Sequence, residues 1–150
     1  MPQSLANILL HVIFSTKNRV AFIDPEIESE LFPYLASICR VCNSPAQAVG
    51  GTENHVHIAC SLSRTVTLSK LLEEVKRSSS KWIKTKGPKF GSFAWQNGYG
   101  AFSIGQSQLG ALKGYIAGQR EHHRVKTFQE EFREFLKRYQ IPYDERYVWD

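Results

Sequence analysis

This chain of 150 residues has few of the features that mark secreted, membrane-spanning or disulfide-bonded proteins. No apolar stretch approaches the ~20 residues that a membrane-crossing helix requires. The N-terminal region has no basic segment followed by a long apolar run and a small-residue cleavage site. Three cysteines, an odd number, argue against the paired disulfide framework of a small secreted protein. We therefore expect a cytoplasmic protein without a membrane segment.

Repeats, low-complexity tracts and a complete zinc motif are also missing. Cys39 and Cys42 have the C-x-x-C spacing, but no second pair completes a zinc site, so a redox or zinc function is disfavoured. Hydrophobic residues make up 42% and charged residues 22% of the chain, which is ordinary for a globular protein. The length and composition predict one domain over residues 1–150.

Acidic residues are absent from residues 76–89, so positive charge is concentrated in that segment. The 19 basic and 14 acidic residues give a net charge of +5. No acid interrupts the basic run of Lys76, Arg77, Lys81, Lys84, Lys86 and Lys89. Such a run indicates a polyanionic partner, although a solvated helix face explains it equally well. We predict contacts with a polyanion such as a nucleic acid by Lys17, Arg19, Lys76, Arg77, Lys81, Trp82 and Lys84.

The hydrophobic patterns predict an alternation of strands and helices. Strands are predicted at 5–14, 46–50 and 55–61, helices at 25–42 and 67–84, and a hairpin at 93–96 and 99–104 around Asn97-Gly98. Pro33 should kink the first helix or shift its start. Two more helices follow, one capped by Ser107 and one capped by Thr127. The order predicts an α+β protein with a ferredoxin-like or RRM-like split βαβ sheet and additional C-terminal helices.

Two histidines separated by one residue lie on the predicted third strand. Successive side chains of a strand alternate between the two sheet faces, so His55 and His57 share one face. Val56 and Ile58 point to the opposite face and are expected to join the core. The histidines should therefore lie on the sheet face that the two early helices leave open.

A tyrosine and a glutamine are spaced so that both would lie on one face of the third predicted helix. Tyr115 and Gln119 are four residues apart, about one turn on a helix, and lie beside the apolar stripe. Gly110, Gly114 and Gly118 recur along the same helix, which suggests flexibility or a close approach by another backbone. Two imidazoles and a Gln oxygen can bind a divalent cation, and a nearby phenol can attack a phosphate that the cation holds.

The residues around these motifs resemble the HUH nucleases, and specifically their small insertion-sequence transposases with one catalytic tyrosine. The resemblance is carried by His55-Val56-His57 with the preceding Gly50–Asn54, by Phe14–Arg19, by Trp95–Ser103 and by Tyr115–Gln119. It extends over nearly the whole chain. His122 and His123, which follow Gln119, are interpreted as helix-end or DNA-contact residues.

The resemblance implies a homodimer that cleaves and rejoins single-stranded DNA at element ends marked by hairpins. It implies Mg²⁺ or Mn²⁺ held by His55, His57 and Gln119. It also implies Tyr115 as the nucleophile, forming a 5′-phosphotyrosine and leaving a free 3′-OH. The tyrosine helix can cross to the partner in such proteins, so the active sites are expected to be shared between subunits.

Three alternatives stay open on the sequence. One is a non-catalytic, RRM-like module that binds single-stranded nucleic acid through aromatic and basic residues. A second is a structural interaction domain that uses the aromatic tail. The third is a host-adopted relative that processes chromosomal hairpins.

Overall fold

The computed structural model describes residues 2–150 and contains one antiparallel sheet with helices on both faces. The strands are β1 (Leu9–Ser15), β2 (Ala46–Thr52), β3 (His55–Ser61) and β4 (Gly100–Ile104), in the order β2-β3-β1-β4. The helices are α1 (Pro25–Val41), α2 (Leu68–Ile83), α3 (Leu109–Ala117), α4 (Gln119–His122) and α5 (Phe128–Arg138). The predicted α+β class with a split βαβ sheet and added C-terminal helices is confirmed.

The first sheet face is covered by α1 and α2, whose starts follow from their capping residues. The Asp24 carboxylate accepts a hydrogen bond from the Ile27 amide, and the Thr67 hydroxyl accepts one from the Lys70 amide. The helix α1 begins at Pro25 and continues through Pro33, so the proline does not shift its start. Both helices pack on a core that includes the inward residues of β1 and β3: Leu10, Val12, Phe14, Val56, Ile58 and Cys60.

The second face is covered by the C-terminal helices. The Thr127 hydroxyl accepts a hydrogen bond from the Glu130 amide and starts α5. Its buried residues form a separate cluster with two side chains of the sheet; the cluster consists of Ile13, Phe102, Phe128, Phe132, Phe135 and Leu136. The alternation along β1 thus sends Val12 to one core and Ile13 to the other.

The predicted hairpin around Asn97-Gly98 is wrong. Trp95 forms an isolated bridge with Thr16, while β4 pairs with Leu9–Ile13 of the same strand. Both segments therefore run along one edge of β1 and do not pair with each other. The Lys76 ammonium donates to the carbonyl oxygens of Gln96, Asn97 and Gly98, which holds this loop open as a connection.

Two element boundaries also differ from the prediction. The strand β1 begins at Leu9 and not at Leu5, because its neighbours end there: Leu9 pairs with Ser61 on one side and Ile104 on the other. Ser107 caps no helix. It lies in a 3₁₀ turn over Gln106–Gln108 that precedes α3, and the Gln108 side chain accepts a hydrogen bond from the Gly105 amide.

Of the helices described over residues 2–150, none combines the length and the apolar character needed to cross a membrane.

Candidate active site

The histidine pair lies in the middle of the second sheet face. His57 pairs with Ile13 of β1 and Gly50 of β2, and His55 pairs with Ser15 and Thr52. Both imidazoles are fully buried. Strand alternation therefore places them on the face predicted for them, away from α1 and α2, and the C-terminal helices cover them.

A close approach between α3 and β2 positions the tyrosine helix. A Cβ atom on Gly50 would lie 2.7 Å from the backbone oxygen of Ile116, so only glycine allows this packing. Gly110 and Gly114 have open space where a Cβ would be, so within this chain they mediate no close contact. The helix α3 ends at Ala117, and α4 begins at Gln119 after Gly118. Tyr115 and Gln119 therefore belong to consecutive helices and not to one.

The carboxylate of Glu131 lies at the centre of the site, although the sequence analysis did not select this residue. Its Oε1 atom is 3.0 Å from Nε2 of His57 and 3.6 Å from Nε2 of His55. Its Oε2 atom accepts a hydrogen bond from the Tyr115 hydroxyl. Glu131 occupies a buried position of α5 between Phe128 and Phe132. An acidic residue in the apolar stripe of an amphipathic helix was the signal that could have identified it.

Gln119 joins the same group of side chains. Its Oε1 atom lies 3.1 Å from Nε2 of His55. Its amide nitrogen donates to Oε2 of Glu131 at 3.3 Å and to the backbone oxygen of Tyr115 at 3.4 Å. Because both of those partners are acceptors, the amide orientation is determined and the Gln119 oxygen faces the histidine.

A third imidazole approaches from the end of α4. Nε2 of His123 lies 3.3 Å from Oε1 of Glu131, and the rings of His123 and His55 are 4.4 Å apart. His55, His57, His123 and Glu131 each offer one ligand atom, all within 4.8 Å of one another, so they form a group that can hold a metal ion. The adjacent His122 is exposed, and its ring packs on Tyr115.

The Nδ1 atoms of the two strand histidines also lie within hydrogen-bond distance of other side chains. Nδ1 of His57 lies 2.7 Å from Nε2 of His11 on β1. Nδ1 of His55 lies 2.8 Å from the Asn54 side-chain oxygen and 2.9 Å from the Thr52 hydroxyl. Such contacts orient an imidazole and direct its other nitrogen inward, as they do in metal sites. The sequence analysis missed His11, which is separated from His57 by 46 positions along the chain.

Burial sets the protonation of these groups. Burial lowers the pKa of His55 and of His11 to about 3, with the neighbouring His57 acting in the same direction, so both imidazoles are neutral at neutral pH. Burial raises the pKa of Glu131, but contacts with His123, His57 and Tyr115 outweigh it, and the carboxyl pKa is below its ordinary value. Neutral imidazoles and an ionised carboxylate are the forms that bind metal ions.

The phenol has the opposite shift. Burial, the hydrogen bond to Glu131 and the negative charge of that carboxylate all raise the pKa of Tyr115 above its usual value. The hydroxyl is therefore protonated and held in place. The ring borders a groove of about 480 Å³ between α3 and α5, whose lining includes His11, Tyr115, His122, Arg138 and Tyr139.

The residues predicted to bind DNA lie apart from this cluster, and they differ in availability. Lys76, Arg77 and Lys84 line a shallow groove of about 300 Å³ with the 93–97 segment. The Lys76 ammonium already has three carbonyl partners, and Trp82 is stacked on Tyr34 with the rings 4.6 Å apart.

The remaining predicted DNA contacts are also in different settings. Lys17, Lys81 and Lys84 are exposed. Arg77 is exposed but paired with Glu74, and a guanidinium nitrogen of Arg19 donates to the backbone oxygen of Trp149.

A split βαβ sheet with a His-x-His strand beneath a helix-borne tyrosine defines the class of single-tyrosine HUH proteins. The family described as IS200-like transposases matches residues 4–119, well over half of the chain. The chain therefore belongs to the IS200-like transposase family.

Two solved structures are similar in fold. A candidate transposase from Deinococcus radiodurans R1 has 18% identity and a TM-score of 0.62, covering 79% of this chain and 98% of that chain. A REP-associated tyrosine transposase bound to a REP hairpin has 14% identity and a TM-score of 0.60, covering 82% of this chain and 72% of that chain. At these identities the likeness concerns the fold alone. Among curated proteins, none matches the chain.

Proposed function

We propose that this transposase cleaves and rejoins single-stranded DNA at hairpin-marked ends through a 5′-phosphotyrosine formed by Tyr115. One observation carries the proposal: the Tyr115 hydroxyl is bonded to the same carboxylate that contacts the buried His55–His57 pair. A nucleophile and a group of metal ligands thus meet at one point, which a groove connects to the surface. A non-catalytic binding module has no need for this convergence.

His55, His57 and Gln119 would hold a Mg²⁺ or Mn²⁺ ion, and the hydrogen bonding of His55 fits one. Nδ1 of His55 contacts the Asn54 oxygen, which only accepts, so this nitrogen carries the proton and Nε2 has a free lone pair. That lone pair faces the Gln119 oxygen at 3.1 Å, and a cation coordinated by both atoms would make this approach of two acceptors favourable. A divalent ion there would polarise the scissile phosphate and stabilise the charge that develops on it.

The reaction assigned to Tyr115 is an exchange of phosphate esters. Its oxygen gives up its proton and forms a bond to phosphorus while the bond from phosphorus to the 3′ oxygen breaks, and that oxygen takes up a proton as a 3′-OH, so the exchange neither gains nor loses protons overall. Glu131 holds the phenol in position through its hydrogen bond. Attack by another 3′-OH on the phosphotyrosine reverses the exchange and joins two strands. The ester conserves the energy of the broken bond, so joining needs no ATP.

Hairpin binding is proposed from the charge distribution together with the REP hairpin bound by one structural neighbour. The exposed Lys17, Lys81 and Lys84 are available for phosphate contacts. The groove that Arg77 and Lys84 line borders α2, on the sheet face opposite the histidines. Binding of the hairpin and cleavage of the adjacent strand would then use different faces of the sheet.

The homodimer and its shared sites stay predictions. Within a single chain, Tyr115 and Gln119 already lie against the histidines of that same chain. Mixing Tyr115→Phe and His55→Ala subunits tests the arrangement: recovered cleavage in the mixture indicates shared sites. A dimer that never recovers activity indicates sites built within one chain, which is what the intrachain contacts favour.

The central test is cleavage of single-stranded DNA in the presence of Mn²⁺ or Mg²⁺. The protein should form a covalent adduct with a hairpin-flanked strand, detected as a shifted band on a denaturing gel. Tyr115→Phe removes only the hydroxyl, so it should retain DNA binding and lose both cleavage and the adduct. Tyr99→Phe is the matched control, because Tyr99 lies outside the cluster. An adduct that persists in Tyr115→Phe would overturn the assignment.

A further inference from the structure

One buried nitrogen in the site has no use that the proposed chemistry explains. Nε2 of His123 is buried and has no hydrogen-bond partner in the part of the chain from residue 2 to 150. It lies 3.3 Å from Oε1 of Glu131 without forming a hydrogen bond. An unsatisfied buried polar atom destabilises the folded state, so its presence at a functional site requires an explanation.

The unpaired nitrogen of His123 lies near the same carboxylate oxygen as the two strand histidines. Oε1 of Glu131 has three imidazole nitrogens around it at 3.0, 3.3 and 3.6 Å, from His57, His123 and His55. Three imidazole nitrogens therefore surround one oxygen of an ionised carboxylate, and all four ligand atoms lie within 4.8 Å of one another. A cation among these atoms would give the His123 nitrogen a partner and would bridge the facing lone pairs of His55 and Gln119.

We propose that His123 and Glu131 are additional ligands of the metal centre, which makes it selective for Mn²⁺ and later transition metals over Mg²⁺. The proposal rests on the metal site in the proposed function and deepens it by adding two ligands. Imidazole nitrogens suit Zn²⁺ and the other later transition metals and are accepted by Mn²⁺ more readily than by Mg²⁺, which prefers oxygen ligands and loses its water reluctantly. A ligand set of three imidazole nitrogens, one carboxylate oxygen and one amide oxygen is therefore poorly suited to Mg²⁺.

The local backbone explains why His123, and not the adjacent His122, faces the other proposed metal ligands. The break at Gly118 starts α4 as a separate short helix, and His123 is the residue that ends it. His123 thereby faces the sheet, with a side chain that is 10% exposed. His122 faces the groove and packs against the Tyr115 ring at 4.4 Å. These two neighbours form a matched pair for mutation.

The experiment measures binding of Mn²⁺ to the full chain by calorimetry, without DNA. His123→Ala and Glu131→Gln should each weaken binding by more than about tenfold, since even outer partners of metal ligands are worth about 10–100-fold. His122→Ala should bind as the wild type does. Mg²⁺ in about 100-fold excess should fail to displace the bound Mn²⁺. Wild-type affinity in His123→Ala, or displacement by equimolar Mg²⁺, would overturn the proposal.

A second measurement needs no substitution and covers the case in which a variant does not fold. Co²⁺ bound to the wild-type protein shifts the ring N–H signals of its histidine ligands in the proton NMR spectrum. Ligation by His55, His57 and His123 predicts three such signals, whereas the pair on β3 alone predicts two. Two signals would refute the assignment of His123.

The outcomes separate this proposal from the proposed function. If the protein binds Mn²⁺ through His123 and Glu131 but forms no covalent adduct with DNA, the proposed function fails and the ligand assignment stands. If the adduct forms and His123→Ala binds Mn²⁺ normally, the ligand assignment fails alone.

Discussion

The two faces of the sheet carry opposite kinds of interior. Under α1 and α2 the buried residues are almost all apolar, from Val12 and Phe14 on β1 to Leu31 and Leu35 on α1. Under α3–α5 an aromatic shell surrounds polar groups, and His11, His55, His57, Gln119 and Glu131 are each at most 1% exposed. The same strands supply both interiors, because alternate side chains of β1 and β3 go to opposite faces.

This difference assigns the stability of the fold to the first face and the candidate chemistry to the second. A buried polar group costs free energy unless it is fully paired, so the second face has no advantage for stability over an apolar core. Its unpaired nitrogen at His123 shows that the polar groups on this face do not all pair with one another. The first face stabilises the sheet, and the sheet then holds the second face in place. Substitutions on the two faces should therefore have different consequences.

The largest expected effect is on the polar face and on catalysis. His55→Ala combined with His57→Ala should lower metal-dependent cleavage by at least about 1000-fold, which corresponds to about 4 kcal/mol of activation free energy. The circular dichroism spectrum should stay that of the wild type, because the α1–α2 core is untouched. Cleavage at the wild-type rate would show that this face does not contain the metal site.

The converse substitution lies on the apolar face. Leu35→Ala removes a side chain with no exposed surface and should lower the free energy of unfolding by about 2–5 kcal/mol. Denaturant unfolding measures this change. Mn²⁺ affinity at a temperature where the variant is folded should equal that of the wild type. A large loss of metal affinity would mean that the two faces are not independent.

Gly50 tests the contact that brings α3 to the sheet. Gly50→Ala places a methyl group 2.7 Å from the Ile116 oxygen, so α3 must move and carry Tyr115 with it. We expect a loss of about 1–3 kcal/mol in unfolding free energy and a sharp fall in adduct formation.

Gly114→Ala on the same helix is the control for Gly50→Ala. Its added methyl group meets open space and should stabilise α3 by up to about 1 kcal/mol. Equal activity in the two variants would mean that the position of α3 does not matter for cleavage.

The smallest expected effect concerns the exposed lysines at the end of α2, the helix that helps to cover the apolar face. Lys81→Ala with Lys84→Ala should weaken binding of single-stranded DNA and reduce the slope of log affinity against log salt by about 0.7 for each lost phosphate contact. The covalent step should be unchanged at saturating DNA, because these residues are not in the cluster. Arg40→Ala at the end of α1 is the control for the loss of one positive charge elsewhere, half of the change made in the double variant. An unchanged salt slope would place the DNA elsewhere.

Local patterns predicted most of the first face correctly. The predicted starts of the first two helices, at residues 25 and 67, agree with α1 and α2 to within one residue, and the alternation of Val56 and Ile58 with the histidines assigned the two faces of β3. The hairpin at Asn97-Gly98 was mispredicted because its turn signal is local, whereas the competing partner of Trp95 is Thr16, at the end of β1. A turn motif cannot show that a distant strand edge will pair with the adjoining segment.

The sequence alone determined the split βαβ class and the face of the histidine pair, because strand and helix periods act over a few neighbouring residues. The tertiary structure decided which other side chains share the site. Glu131 lies 74 positions from His57, and His123 lies on a helix that Gly118 separates from Tyr115. His11 reaches His57 only through the pairing of β1 with β3. These contacts depend on how α5 packs across the sheet, which no local period encodes.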